Sequence, residues 1–143
     1  MLNDQQIIEY VKGHEGLSLK PYYCTANKLS IGIGRNLEDR GITQEEAYIM
    51  LSNDLRITMQ DLYRVFGEDF RHFPDPAQLV FIDMMFQLGL GRFQGFKRMI
   101  TAASAGDWKA AAREMMDSQY AKQVPNRAKD NEKKLMSCVA KEA

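Results

Sequence analysis

Glu15, Cys24 and Ser30 are the residues in this chain whose types and spacing could do chemistry. Eight residues separate the carboxylate from the thiol, and five separate the thiol from the hydroxyl. They lead into a glycine-spaced strand, Ser30-Ile31-Gly32-Ile33-Gly34, and a hairpin there would fold the three side chains onto one site. An acid paired with a second group that handles water is the minimal equipment for hydrolysing a glycosidic bond. Each residue also has a plainer reading. Glu15 reads by default as a surface carboxylate at a helix end, Cys24 as a small buried hydrophobe, and Ser30 as a strand hydroxyl bonded to backbone. Gly16 permits a sharp exit from a helix, while Gly32 and Gly34 admit close approach of backbone or ligand.

Gln87 and Arg127 stand out for a different reason. Gln87 ends an apolar run and is followed by Leu-Gly-Leu-Gly, where a core helix would meet a cleft. Its alternative is a helix-end amide bonded to nearby backbone. Arg127 follows Pro125-Asn126 at a helix start, where the helix dipole opposes a cation. Such a charge calls for a partner, and a carboxylate such as Glu15 would serve. Otherwise it is an arginine exposed to water. His14, Cys24 and His72 lack the spacing of a zinc set, so no metal and no cofactor are expected. Met84, Met85, Met115, Met116 and Met136 read as core filler, Trp108 as packed, and Lys133 and Lys134 with Asp130 and Glu132 as a solvated face.

The elements that must position these residues follow from caps, breakers and periodicity. Asn3 or Asp4 caps a first helix carrying Ile7, Ile8 and Val11, which stops near Gly13. Tyr22–Gly34 reads as an antiparallel hairpin turning at Thr25-Ala26-Asn27-Lys28. Thr43-Gln44-Glu45-Glu46 is a capping box that opens a long helix toward Phe66. Pro74-Asp75-Pro76 breaks the chain, and everything beyond it is helical: Ala77–Leu88 as the core helix, then Phe93–Ser104, Trp108–Ser118 capped by Asp107, and a last helix from Pro125 to Lys141. The fold class is α+β, a small β-hairpin lobe and a larger all-helical lobe joined by a long helix. One domain of 143 residues is expected, with residues 15–52 forming the small lobe and residues 1–14 and 53–143 the helical one.

Nineteen basic and nineteen acidic residues cancel, so no global field steers the chain toward nucleic acid. Two cysteines far apart in sequence suit reduced thiols better than a disulfide framework. The opening residues lack a basic and apolar leader pattern, and no run is apolar enough to span a bilayer, so stable membrane association is not expected.

The strings Glu15-Gly16-Leu17, Leu19-Lys20, Tyr22, Thr25 and Ile31-Gly32-Ile33-Gly34 resemble the N-terminal signature of phage lysozymes of the T-even type, glycoside hydrolase family 24. Phe86-Gln87-Leu88-Gly89 and Gln123-Val124-Pro125-Asn126-Arg127-Ala128-Lys129 resemble that family too, so the likeness runs in order from about Ile8 to Lys129. It implies a lysozyme-like fold with a sugar cleft between the lobes. It also implies a muramidase that cleaves the β-1,4 bond between N-acetylmuramic acid and N-acetylglucosamine in peptidoglycan with inversion. The family's catalytic acid falls on Glu15, and its Asp or Cys and Thr positions fall on Cys24 and Ser30. Its cleft glutamine and the arginine near the acid fall on Gln87 and Arg127, and its tryptophan position on Tyr120; Gly34 joins these three in the substrate-binding set. The family's histidine after the Gly-Ile-Gly strand is Arg35 here, and the connection 35–44 is short, which implies a smaller lobe. The implied biology is a monomeric endolysin that waits in the host cytoplasm for a holin-type pore and then acts on the wall from the periplasm. A catalytically impaired wall-binding homologue, a lytic transglycosylase and a structural component of the phage particle are the rival readings.

Overall fold

Asn3 opens the first helix with a complete capping box. Its side chain accepts from the Gln6 N–H, and the Gln6 side chain accepts from the Asn3 N–H. The computed structural model describes residues 1–140; the last helix ends at Met136, short of the expected end at Lys141, a residue that lies outside them. The first helix, α1, spans Asp4–Glu15 and passes through Gly13 rather than stopping there. It ends where Gly16 takes φ +74°, a backbone conformation Gly13 does not adopt.

Three antiparallel strands follow in the order β1 (Ser18–Tyr23), β2 (Leu29–Gly32) and β3 (Arg35–Asn36). The turn between β1 and β2 centres on Asn27 at φ +58°, and Tyr22 pairs with Ser30. The expected run through Gly34 is shorter in fact. Gly32 (φ +70°) and Gly34 (φ +68°) bend the chain into β3, because a tight hairpin needs positive φ that L side chains resist.

Helix α2 (Gln44–Phe66) begins at the predicted capping box, with Thr43 Oγ1 accepting from the Glu46 N–H and Glu46 Oε1 accepting from the Thr43 N–H. Glu46 also takes a two-pronged ion pair from Arg35, at 2.9 and 2.8 Å, and Arg35 donates to the Gly41 carbonyl. These bonds fasten both ends of the short connection. Arg35 and Thr43 hold the Glu46 carboxyl down to about 2, below the ordinary value of 4.5. A depressed carboxylate stabilises the fold above its unfolded value and loses that contribution as pH falls through the folded one. The melting temperature should therefore drop between about pH 4.5 and 2, and Glu46→Gln should flatten that part of the curve measured by circular dichroism.

Beyond α2 come a 3-10 turn (Gly67–His72), then α3 (Asp75–Gln94), α4 (Lys97–Ser104), α5 (Trp108–Met116), α6 (Gln119–Gln123) and α7 (Pro125–Met136). Asp107 caps α5 as expected, accepting from the Ala110 N–H. Helix α3 is interrupted at Gly89 (φ +78°), so the apolar run ends where the sequence places its end. The short α6 and the 3-10 turn carry no strong cap or breaker and are not legible from pattern.

The chain divides into two compact units, Met1–Met50 and Leu51–Ala143, and the division falls within α2. The first unit takes in residues 1–14 together with the sheet. Helix α1 buries none of its side chains and is joined to β1 by only Gly16 and Leu17. In the second unit an aromatic cluster forms the centre: Phe66 meets Phe81 and Phe73 at 5.1 and 5.0 Å between ring centres, and Phe73 meets Trp108 edge-on at 5.0 Å. Met84, Met85 and Met115 fill the gaps around it, as expected. Met136 does not; it is exposed. The architecture is the α+β, lysozyme-like arrangement, mostly helical with one small sheet.

Candidate active site

Glu15 is the last residue of α1, and the Gly16 cap turns the chain immediately after it. A tight glycine turn lies against its carboxylate. A methyl group built on Gly34 would stand 2.6 Å from Glu15 Oε2, 2.8 Å from Cδ and 3.1 Å from Cγ. The first two contacts are closer than real Cβ atoms come, so a side chain at residue 34 would force the flexible end of Glu15 out of its present position. The close approach expected of Gly34 is thus to the acid itself.

Cys24 opens the β1–β2 turn, where its carbonyl accepts from the Asn27 N–H and its own N–H donates to the Lys28 carbonyl. The turn backbone at Lys28 and then Ala26 favours the thiolate, burial opposes it, and Ser30 adds a lesser push in the same direction as the turn. The thiol is therefore held below its ordinary value, so more of it stands as thiolate, free to take a proton, than in a free cysteine. Ser30 is only 2% exposed, and its hydroxyl donates to the Lys28 carbonyl at 3.1 Å. It backs the thiol and the turn instead of offering a free hydroxyl.

In the second unit, Arg127 in the first turn of α7 does have a carboxylate partner, but it is Asp83 of α3. Nε and Nη2 donate to the two Asp83 oxygens at 2.8 and 2.6 Å. Asn131 donates to the same carboxylate and to the Tyr120 hydroxyl, each at 3.0 Å. Arg127 holds Asp83 below the usual carboxylate range, with burial opposing and Asn131 assisting. Sequence reasoning missed Asp83, although it is the one charged residue between positions 77 and 91, and a lone charge in an apolar helix is the signal that could have found it. Tyr120 is 4% exposed with its ring edge-on to Phe96, so it supports the network from within the core and presents no face to a sugar. Burial pushes its phenol up. Gln87 is exposed two residues before the Gly89 break, and its amide has no hydrogen-bond partner among the described residues.

The structure therefore joins Glu15 to Gly34, Cys24 to Ser30, and Arg127 to Tyr120 through Asp83 and Asn131. The first four are in one unit and the last four in the other. An exposed carboxylate and a thiol held below its ordinary value, both in the first unit, can supply an acid and a base, and the guanidinium and amide can donate to sugar oxygens. Residues 12–134 match the family model described as phage lysozyme. The chain belongs to the phage lysozyme family. It is also 27% identical, over 152 aligned positions, to the pre-baseplate central spike protein Gp5 of Enterobacteria phage T4. That match takes in 87% of this chain and 26% of the spike protein, so the chain spans about a quarter of that relative's length. Membership of the phage lysozyme family supports glycoside hydrolase activity of the lysozyme kind, directed at peptidoglycan.

Proposed function

We propose that this phage lysozyme hydrolyses the β-1,4 bond between N-acetylmuramic acid and N-acetylglucosamine with inversion. The observation that carries the reading is the seat of Glu15 on the bare backbone of Gly34, in the unit that also holds the lowered thiol of Cys24. Glu15 donates its proton to the leaving glycosidic oxygen as the C1–O bond breaks. Water attacks C1 from the opposite face and passes a proton to Cys24, which Ser30 supports. Solvent reprotonates Glu15 and takes the proton from Cys24, which closes the cycle. Gln87 and Arg127 donate hydrogen bonds to the glycan. An oxocarbenium-like transition state asks less of the base than of the acid, which is how a thiol can stand where a carboxylate is usual.

The test is the stereochemistry of the first product. Proton NMR on soluble peptidoglycan fragments should show the α-anomer initially, and Cys24→Asp should keep turnover within about tenfold, since a carboxylate accepts from the same turn amides. An initial β-anomer would mean that the thiolate attacks C1, displaces the leaving sugar and is itself displaced by water, so that the anomeric configuration is retained. Anhydromuramic ends seen by mass spectrometry would instead indicate a transglycosylase.

Lysis of the host from within, after release through a membrane pore, is the setting we infer for this activity. A second setting is favoured by the likeness to a spike protein: the same hydrolysis performed by a component of the particle. Clearing of chloroform-treated Gram-negative cells separates an active enzyme from an impaired wall-binding homologue, and recovery of the chain with purified virions supports the second setting over the first.

A further inference from the structure

Asp83 spends both carboxylate oxygens on one edge of Arg127 and shares one of them with Asn131. Asn131, 5% exposed, carries the chain of bonds on to the Tyr120 hydroxyl, itself buried. Within residues 51–140, the remaining nitrogen of the guanidinium, Nη1, has no acceptor, and Arg127 keeps 39% of its side chain exposed. A planar guanidinium gripped through Nε and Nη2 cannot rotate, so its opposite edge points in one direction. We propose that Asp83 is a positioning residue for glycan binding: it aims the outer edge of Arg127 at acceptor oxygens of the sugar, the hydroxyls and acetamide carbonyls. The inference rests on the reading above, in which Arg127 donates to the glycan.

Two features distinguish this pairing from a surface ion pair. Its partners lie 44 positions apart on different helices, and its geometry is two-pronged, where exposed pairs are usually loose and contribute little. Its second arm ends in the core on Tyr120, so a rigid body of packed side chains holds the carboxylate in place. Lys134 is the other charge acting on Asp83, and it favours the same ionised form.

Binding of tri-N-acetylchitotriose, measured by isothermal titration calorimetry, tests the proposal without needing turnover. Asp83→Asn removes the carboxylate while keeping the side chain's shape, and should weaken binding about tenfold or more, as loss of a charge-assisted hydrogen bond does. Asp83→Ala should do at least as much. Arg127→Met should weaken binding to a similar degree, and Asp83→Asn added to Arg127→Met should cost nothing further, because both act through one contact. Thermal melts confirm that each variant is folded. Unchanged binding in Asp83→Asn, or an equal loss in the Arg127→Met background, overturns the inference. Release of new reducing ends from peptidoglycan by the wild type is read in parallel. Its absence with binding retained overturns the hydrolytic reading alone, and a wild type that releases reducing ends but binds no oligosaccharide overturns the positioning inference alone.

Discussion

Glu15→Gln leaves the protein folded and stops it cutting, with the release of reducing ends from peptidoglycan falling by about 10²–10⁴-fold. The amide is nearly isosteric with the acid and can occupy the same seat against Gly34, so the contacts that define this corner survive. What it lacks is a proton that can leave. A glycosidic oxygen departs as an alkoxide unless it is protonated, and that requirement is why the acid contributes so much. Glu15 closes α1 on a unit surface and none of the side chains of that helix is buried, so the melting temperature should hardly move. Activity within threefold of wild type would place the acid elsewhere in the chain.

Gly34→Ala should be nearly as damaging for a different reason. The added methyl would stand 2.6 Å from Glu15 Oε2, so the carboxylate must shift by about an ångström, and a misplacement of that size can cost roughly 10²-fold in rate. The backbone complicates the experiment, because φ is +68° and a side chain there adds about 1 kcal/mol of strain. Gly32→Ala separates the two effects. Gly32 has nearly the same φ, +70°, but nothing lies within 4 Å of its added methyl. Both variants should lose similar stability, and only the one at 34 should lose kcat. Equal kcat values, measured well below both melting temperatures, would remove Gly34 from the acid's environment.

Much of this is written locally in the chain. The Thr43–Glu46 box, the Asp107 cap and the Gly89 break each depend on residues within one turn of one another, and pattern reading finds such features. The end of α1 was misjudged because any glycine looks like a stop, while only Gly16 adopts the positive φ that makes one. The third strand escaped notice because two residues carry no alternation to detect. In the site, the residue types at 15, 24 and 30 were visible together with their spacing. The partner of Arg127 was not, since a contact across 44 positions leaves no periodic trace, and the dipole argument says that a counter-charge is needed without saying which. Tyr120 shows the same limit. Its identity marks an aromatic position, yet only packing tells that the ring is enclosed and that the hydroxyl is the working end.

The buried side chains are shared out very unevenly. Ser30 alone is fully buried among the first fifty residues, while the phenylalanine and methionine interior belongs to the stretch from Leu62 onward. A sheet of three short strands with so little apolar interior has small reserves against unfolding by itself, whereas the helical unit has an interior of its own. The acid and the thiol thus stand on the weaker ground. Under heat or denaturant such a molecule falls silent first and loses its helices later, and it can regain its trade by re-forming a few dozen residues on a frame that never came apart.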